Sequence, residues 1–140
     1  MGKVFLILLT LILVSVYIGY SFAADKPSDN KVIAYYFHGN FRCVNCKTIE
    51  QYTKEAIEKY FQKELNMGKI AFKVVNVETK GNEHFTNEYQ LYTKSIVLSL
   101  VKNDKEVKFD NLTKVWEHLR NKEAFHQYIK SEVGKYLKEL

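Results

Sequence analysis

The two cysteines of this 140-residue chain, Cys43 and Cys46, stand three apart in "YYFHGNFRCVNCKTIE". A C-x-x-C pair suits three kinds of chemistry: a dithiol that cycles through a disulfide, half of a thiolate metal site, or a bridge that only staples the chain. Spacing does not separate them. A bridge closing so short a loop contributes about 2 kcal/mol by loop-closure entropy, less than a longer loop would give. The position of the pair therefore matters more than the bond itself.

Position is set by the flanking elements. "KVIAYYF", Lys31 to Phe37, is a continuous apolar run rich in Val, Ile, Tyr and Phe, and reads as a buried strand ending at His38-Gly39-Asn40. From Cys43 to about Leu65 the apolar residues fall at Ile49, Tyr52, Ala56, Ile57, Tyr60, Phe61 and Leu65, a helical spacing stopped by Asn66-Met67-Gly68. The cysteines thus sit where a strand turns into a helix. Free backbone N–H groups and the positive end of the helix dipole stabilise a thiolate there.

Cys43 is accordingly expected to be the attacking thiolate, helped by Arg42 before it and Lys47 after Cys46. Cys46, one turn in, would resolve the mixed disulfide. Glu50, four residues beyond Cys46, is placed to relay a proton, and His38 to stabilise or receive one. Each has a plainer reading. Glu50 also fits a solvated helix face, and His38 a loop residue bonded to backbone.

"KIAFKVVNV", Lys69 to Val77, carries apolar residues on both alternating sets, the expectation for a central parallel strand covered on both faces. A short helix over Glu83 to Gln90 follows, then a strand, Ser95 to Val101. Lys102 to Lys105 turns the chain into "EVKF", and helices are predicted over Asn111 to Leu119 and Asn121 to Leu140. The last of these has one apolar stripe through Phe125, Ile129, Val133 and Tyr136. Trp116 reads as core packing. His84, His118 and His126 have no ligand-like spacing and read as surface residues.

The chain opens with Lys3, an uncharged run from Val4 to Ile18, and small residues at Ser21, Ala23 and Ala24. These are the parts of a signal peptide over 1–24, with a linker over 25–30 and one domain over 31–140. An uncleaved leader would instead tether the domain to a membrane. Either way the expected location is extracytoplasmic, periplasmic or secreted, where disulfides persist. Beyond the leader 20 basic residues face 16 acidic ones, interspersed as on solvated helix faces, so nucleic-acid binding is disfavoured.

The order β, C-x-x-C helix, β, helix, β, β, helix implies an α/β domain with a mixed central sheet flanked by helices. "YFHGNFRCVNCK", "VVNVE" and "YTKSIVLSLVKNDKEV" resemble thioredoxin-like domains, and "NLTKVWEHLRNKEAFHQYI" adds a narrower likeness to the small exported proteins of the ArsF family, labelled nitrophenyl compound nitroreductase subunits. The resemblance implies the thioredoxin fold, the same roles for Cys43 and Cys46, and no organic cofactor. It also exposes two departures. Thioredoxins carry a cis-proline before their third strand, where this chain has Ser95; its only proline is Pro27. Lys94-Ser95 should therefore be trans, leaving Ser95 to offer an N–H and a hydroxyl to whatever docks against Cys43. The buried acid beneath the cysteines is replaced by Tyr36 or a neighbour.

The expected function is thiol–disulfide exchange with a thiol or disulfide protein, such as a membrane-embedded reductant or a redox enzyme complex. Two rivals use the same residues. One is a soft-metal or arsenical carrier holding its cargo between Cys43 and Cys46, and the other a non-catalytic subunit of a redox complex. Phe41, beside Cys43, is expected to form part of an apolar docking rim.

Overall fold

A computed structural model describes residues 30–140. The expected leader, and all but the last residue of the linker, lie outside the described residues. The elements run β1 (Lys31–His38), α1 (Val44–Tyr60), α2 (Gln62–Asn66), β2 (Ile70–Asn76), α3 (His84–Glu88), β3 (Ser95–Lys102), β4 (Lys105–Asn111), α4 (Val115–His118) and α5 (Lys122–Leu137). The four strands form one sheet in the order β2-β1-β3-β4. β1 pairs parallel to β2 and antiparallel to β3, and β3 pairs antiparallel to β4. This mixed sheet, with a β-α-β crossover followed by a hairpin and a closing helix, has the strand order and connectivity expected of the thioredoxin fold.

Burial follows the sheet order. β1 and β3 occupy the middle, and nearly every residue of both is covered, so their unbroken apolar runs face packing partners on both sides. β2 corrects the sequence reading: it is parallel to β1, as expected, but it is an edge strand with Lys73 and Val74 exposed. An apolar run with no strict alternation fits an edge as well as a centre. Only the pairing order distinguishes them, and a lysine on the open side is a common way of blunting such an edge.

One face of the sheet, through Val32, Ala34, Tyr36, Ile96 and Leu98, packs on α1 and α5 and forms the main core with Ile49, Ile57, Phe125 and Ile129. The opposite face has a smaller cluster, Phe37, Tyr89 and Val97, with Tyr35, Phe85 and Leu91 around it. The helix predicted from Cys43 to Leu65 is divided. At Phe61 the backbone leaves helical geometry (φ −131°, ψ 28°) and the ring goes into the core, after which α2 adds a short further stretch. Gly68 (φ 67°) then closes it in the left-handed region, its N–H bonded to Leu65 O at 3.0 Å.

Asn103 and Asp104 both take positive φ (52° and 61°) in the two-residue turn between β3 and β4, as a tight hairpin whose twist matches its strands requires. The helix predicted over Asn111 to Leu119 is mostly absent. β4 continues through Asn111, and only the single turn Val115–His118 is helical. The residues before that turn are held by pairing to β3, with Leu112 N–H on Ile96 O at 2.8 Å. α5 begins where predicted, capped by Asn121 Oδ1 on the Ala124 N–H at 3.0 Å. His126 corrects a second expectation: it is 5 % exposed, buried at the α1–α5 seam rather than on the surface.

Candidate functional site

β1 and β2 run toward the same end of the sheet, where His38 pairs with Asn76. β3 starts there, with Ser95 opposite Phe37, and β4 finishes there, with Asn111 opposite Val97. The segments 39–43, 77–83, 91–94 and 112–114 therefore gather at one edge, beyond the carboxyl ends of the parallel strands where ligands of α/β sheets commonly bind. The cysteines lie in the first of these segments.

Cys43 is the N-cap of α1. Its backbone is extended (φ −76°, ψ 172°), and its Sγ accepts the Cys46 N–H at 3.3 Å. The two residues are joined by a disulfide, with Cα atoms 5.1 Å apart. Cys43 is half-buried, whereas Cys46 is 1 % exposed. Cys43 is thus the more accessible of the two cysteines, and Cys46 lies behind it. Phe41 (75 % exposed), Val44 (80 %) and Tyr92 (94 %) supply exposed apolar surface on the segments that meet at this edge.

Beneath the helix start Tyr36 is fully buried, and its hydroxyl donates to Cys46 O at 2.7 Å. Burial raises its pKa, with the Arg42 guanidinium opposing, so at neutral pH it is a neutral donor rather than a base. Tyr36 thus offers no carboxylate beneath the cysteines. The bond ties β1 directly to the second cysteine. Arg42 does not stand free beside Cys43: its guanidinium carbon lies 5.7 Å from the Tyr36 ring centroid, and it pairs with the Glu50 carboxylate. Both side chains are 28 % exposed. Glu50 is therefore neither a plainly solvated residue nor an open proton relay. Lys47 is exposed on the next turn.

His38, half-buried at the end of β1, donates from Nδ1 to Gly39 O at 2.8 Å, which is the backbone-bonded reading. Ser95 is 5 % exposed, and its hydroxyl donates to Thr93 O at 2.9 Å. That proton is already committed to the loop, contrary to the expectation that it would meet a docking partner. Every peptide bond among the described residues is trans, Lys94–Ser95 included. Trp116 packs against the core as expected and also donates from Nε1 to Lys94 O at 3.2 Å, pinning the loop before Ser95.

A polar network around the cysteine loop was not foreseen. Glu78 accepts the Asn40 N–H at 3.0 Å, and Asn76 Nδ2 donates to Asn40 Oδ1 at 2.7 Å. The Glu78 carboxylate also lies close over Gly39. No spacing in the chain announces these contacts, because they follow from the parallel pairing of His38 with Asn76. A cavity of about 190 Å³ beside them is lined by Phe37, His38, Glu78, Leu91 and Lys94, among others.

Among the described residues no group of three or more His, Cys, Asp or Glu comes together to hold a metal ion.

No family model matches the chain, and no curated protein sequence matches it. Among solved structures it is similar to a reduced thioredoxin pre-protein of Schistosoma mansoni, at 21% identity over 77% of this chain and 81% of that one, with a TM-score of 0.46. It is likewise similar to a thioredoxin of Fasciola hepatica (24% identity, 64% and 79% covered, TM-score 0.38) and to a malarial protein (18% identity, 66% and 97% covered, TM-score 0.40). At these scores the likenesses add nothing to what the strand order and the cysteine-capped helix establish for themselves.

Proposed function

We propose that the chain is an exported thiol–disulfide oxidoreductase working through Cys43 and Cys46. The observation that carries this reading is the asymmetry of the pair: a partly exposed Cys43 at the cap of α1, bonded to a Cys46 that is almost wholly buried. In the reduced protein the Cys43 thiolate attacks a partner disulfide and forms a mixed disulfide. The Cys46 thiolate then attacks Cys43 Sγ, closes the internal bond and releases the partner as its thiol. Two electrons pass to the partner, and the reverse sequence oxidises it.

Export rests on the signal-like leader of the sequence, and the ArsF-type role as a subunit of a larger redox assembly rests on the likeness of its motifs. A thiol protein is the natural partner, docking on the apolar surface of Phe41, Val44 and Tyr92. The test is equilibration of the mature protein in glutathione or dithiothreitol buffers with trapping of free thiols. Exchange predicts a potential between about −270 and −120 mV, whereas a pair still oxidised well below about −300 mV would be a structural bridge and end this reading. Cys46→Ser should accumulate mixed disulfides through Cys43, and Cys43→Ser should trap none.

A further inference from the structure

The residue that precedes Cys43 is held in an ion pair. Arg42 immediately precedes the Cys43 sulfur, yet its side chain is turned along the flank of α1 to Glu50, eight residues on. Its Nε is buried without a hydrogen-bond partner, so the guanidinium is held by Glu50 and by its place against the Tyr36 ring. The other charges at this edge are disposed on both sides of the cysteines. Lys47 and Lys54 share the cleft along α1 with Arg42 and Glu50, while His38, Glu78 and Lys94 line the cavity at the ends of β1 and β2. Lys54 has its own carboxylate, Glu58, at 3.8 Å.

We propose that Glu50 is a positioning residue that holds Arg42 in a neutral pair, and thereby limits how far that charge stabilises the Cys43 thiolate and sets how readily the Cys43–Cys46 disulfide is reduced. The proposal rests on the exchange reading above and deepens it. Reduction by glutathione consumes the protein disulfide and two glutathione thiols and yields two protein thiols and one glutathione disulfide. Two electrons enter the Cys43–Cys46 bond, and the glutathione thiols supply the two protons. A positive charge near Cys43 favours its thiolate, hence the reduced state, and a bare carboxylate disfavours it. Glu50→Gln leaves Arg42 uncompensated, Arg42→Gln leaves Glu50 uncompensated, and the double variant removes both charges.

The experiment measures the equilibrium constant with glutathione at fixed pH for the mature wild type and these three variants, each also melted thermally. The expected result is a rise of about three- to tenfold in the constant for reduction in Glu50→Gln, since the pair is partly exposed and screened, and a fall of similar size in Arg42→Gln. The double variant should return to within about twofold of wild type, as a compensating pair requires. Arg42→Lys, which keeps the charge, should stay near wild type. Single variants that move the constant in the same direction, or by less than about twofold, overturn the proposal and leave the exchange reading standing. So do changes that follow melting temperature rather than charge. A wild type that does not exchange at all removes both.

Discussion

α1 carries two carboxylates, Glu50 and Glu55, each with a cationic partner, and the two arrangements sit in different surroundings. In its first half Glu50 meets Arg42, the residue before Cys43, within one continuous stretch of chain. Farther along, Glu55 meets Lys122 at 2.7 Å and the His126 ring nitrogen Nε2 at 3.4 Å, both from α5. Half-exposed ion pairs contribute little to stability in either place. What differs is the neighbourhood. The first pair involves the residue next to Cys43, whereas the second lies at a seam between helices where Ile57, Phe125 and Ile129 supply the cohesion. On the proposal above, similar charges act on a redox equilibrium at one place and on the cost of burying a histidine at the other.

The strongest way to separate the two places is to damage the seam alone. Ile57 is 1 % exposed in the main core, so Ile57→Ala should cost about 2–5 kcal/mol of stability. Denaturant titration checks the loss, and the glutathione equilibrium of the folded variant should remain within about twofold of wild type. A large redox shift in Ile57→Ala would mean that the two places are coupled through the helix.

A smaller effect is expected where the two properties meet. Tyr36→Phe removes the hydroxyl that donates to Cys46 O while keeping the ring under Arg42, and should cost about 1 kcal/mol. Because the lost bond orients the second cysteine, resolution of a mixed disulfide trapped on Cys43 should slow. Stopped-flow thiol exchange, compared with the melting curve, separates that slowing from general loosening of the helix.

The smallest predicted effect belongs to the seam and appears only as a slope with pH. Burial depresses the His126 pKa; Glu55 opposes, Lys122 and Lys59 push it down further, and Glu123 opposes. In the unfolded chain the ring takes its proton near its ordinary value of about 6.5, so below that pH the unfolded state binds more protons than the folded one. Stability from this group is complete above about pH 6.5 and declines as pH falls through the depressed folded value. Melting temperatures from pH 7.5 to 5 should therefore fall more steeply for wild type than for His126→Gln. Parallel profiles would show that Glu55 offsets the burial completely.

The candidate site was only partly legible in the sequence. Cys43, Cys46 and the helix they open could be read because the signals are local: a strand, a short loop, and apolar residues at helical spacing. The hairpin at Asn103-Asp104 was legible for the same reason. His126 was misread because a single polar residue at helical spacing does not disclose that a second helix covers it. The pairing of Glu50 was not foreseen because its partner, Arg42, belongs to the loop before the helix and reaches it only once the helix has formed.

Local chemistry in the sequence determined the kinds of elements, their order, and the placing of two sulfurs at a helix start. These depend on the preferences of neighbouring residues and on the free N–H groups of a first turn. The tertiary structure alone decided that β2 lies at the edge while β1 and β3 take the centre. It also decided that Ser95 is already bonded to Thr93, that Tyr36 reaches Cys46, and that Glu78 and Asn76 brace the cysteine loop. Each of those depends on a distance between residues that the chain separates and only the sheet register brings together. The exchange chemistry assigned to Cys43 draws on both: its sulfur's cap position comes from local sequence, and the charges and hydrogen bonds around it come from the packing of the whole domain.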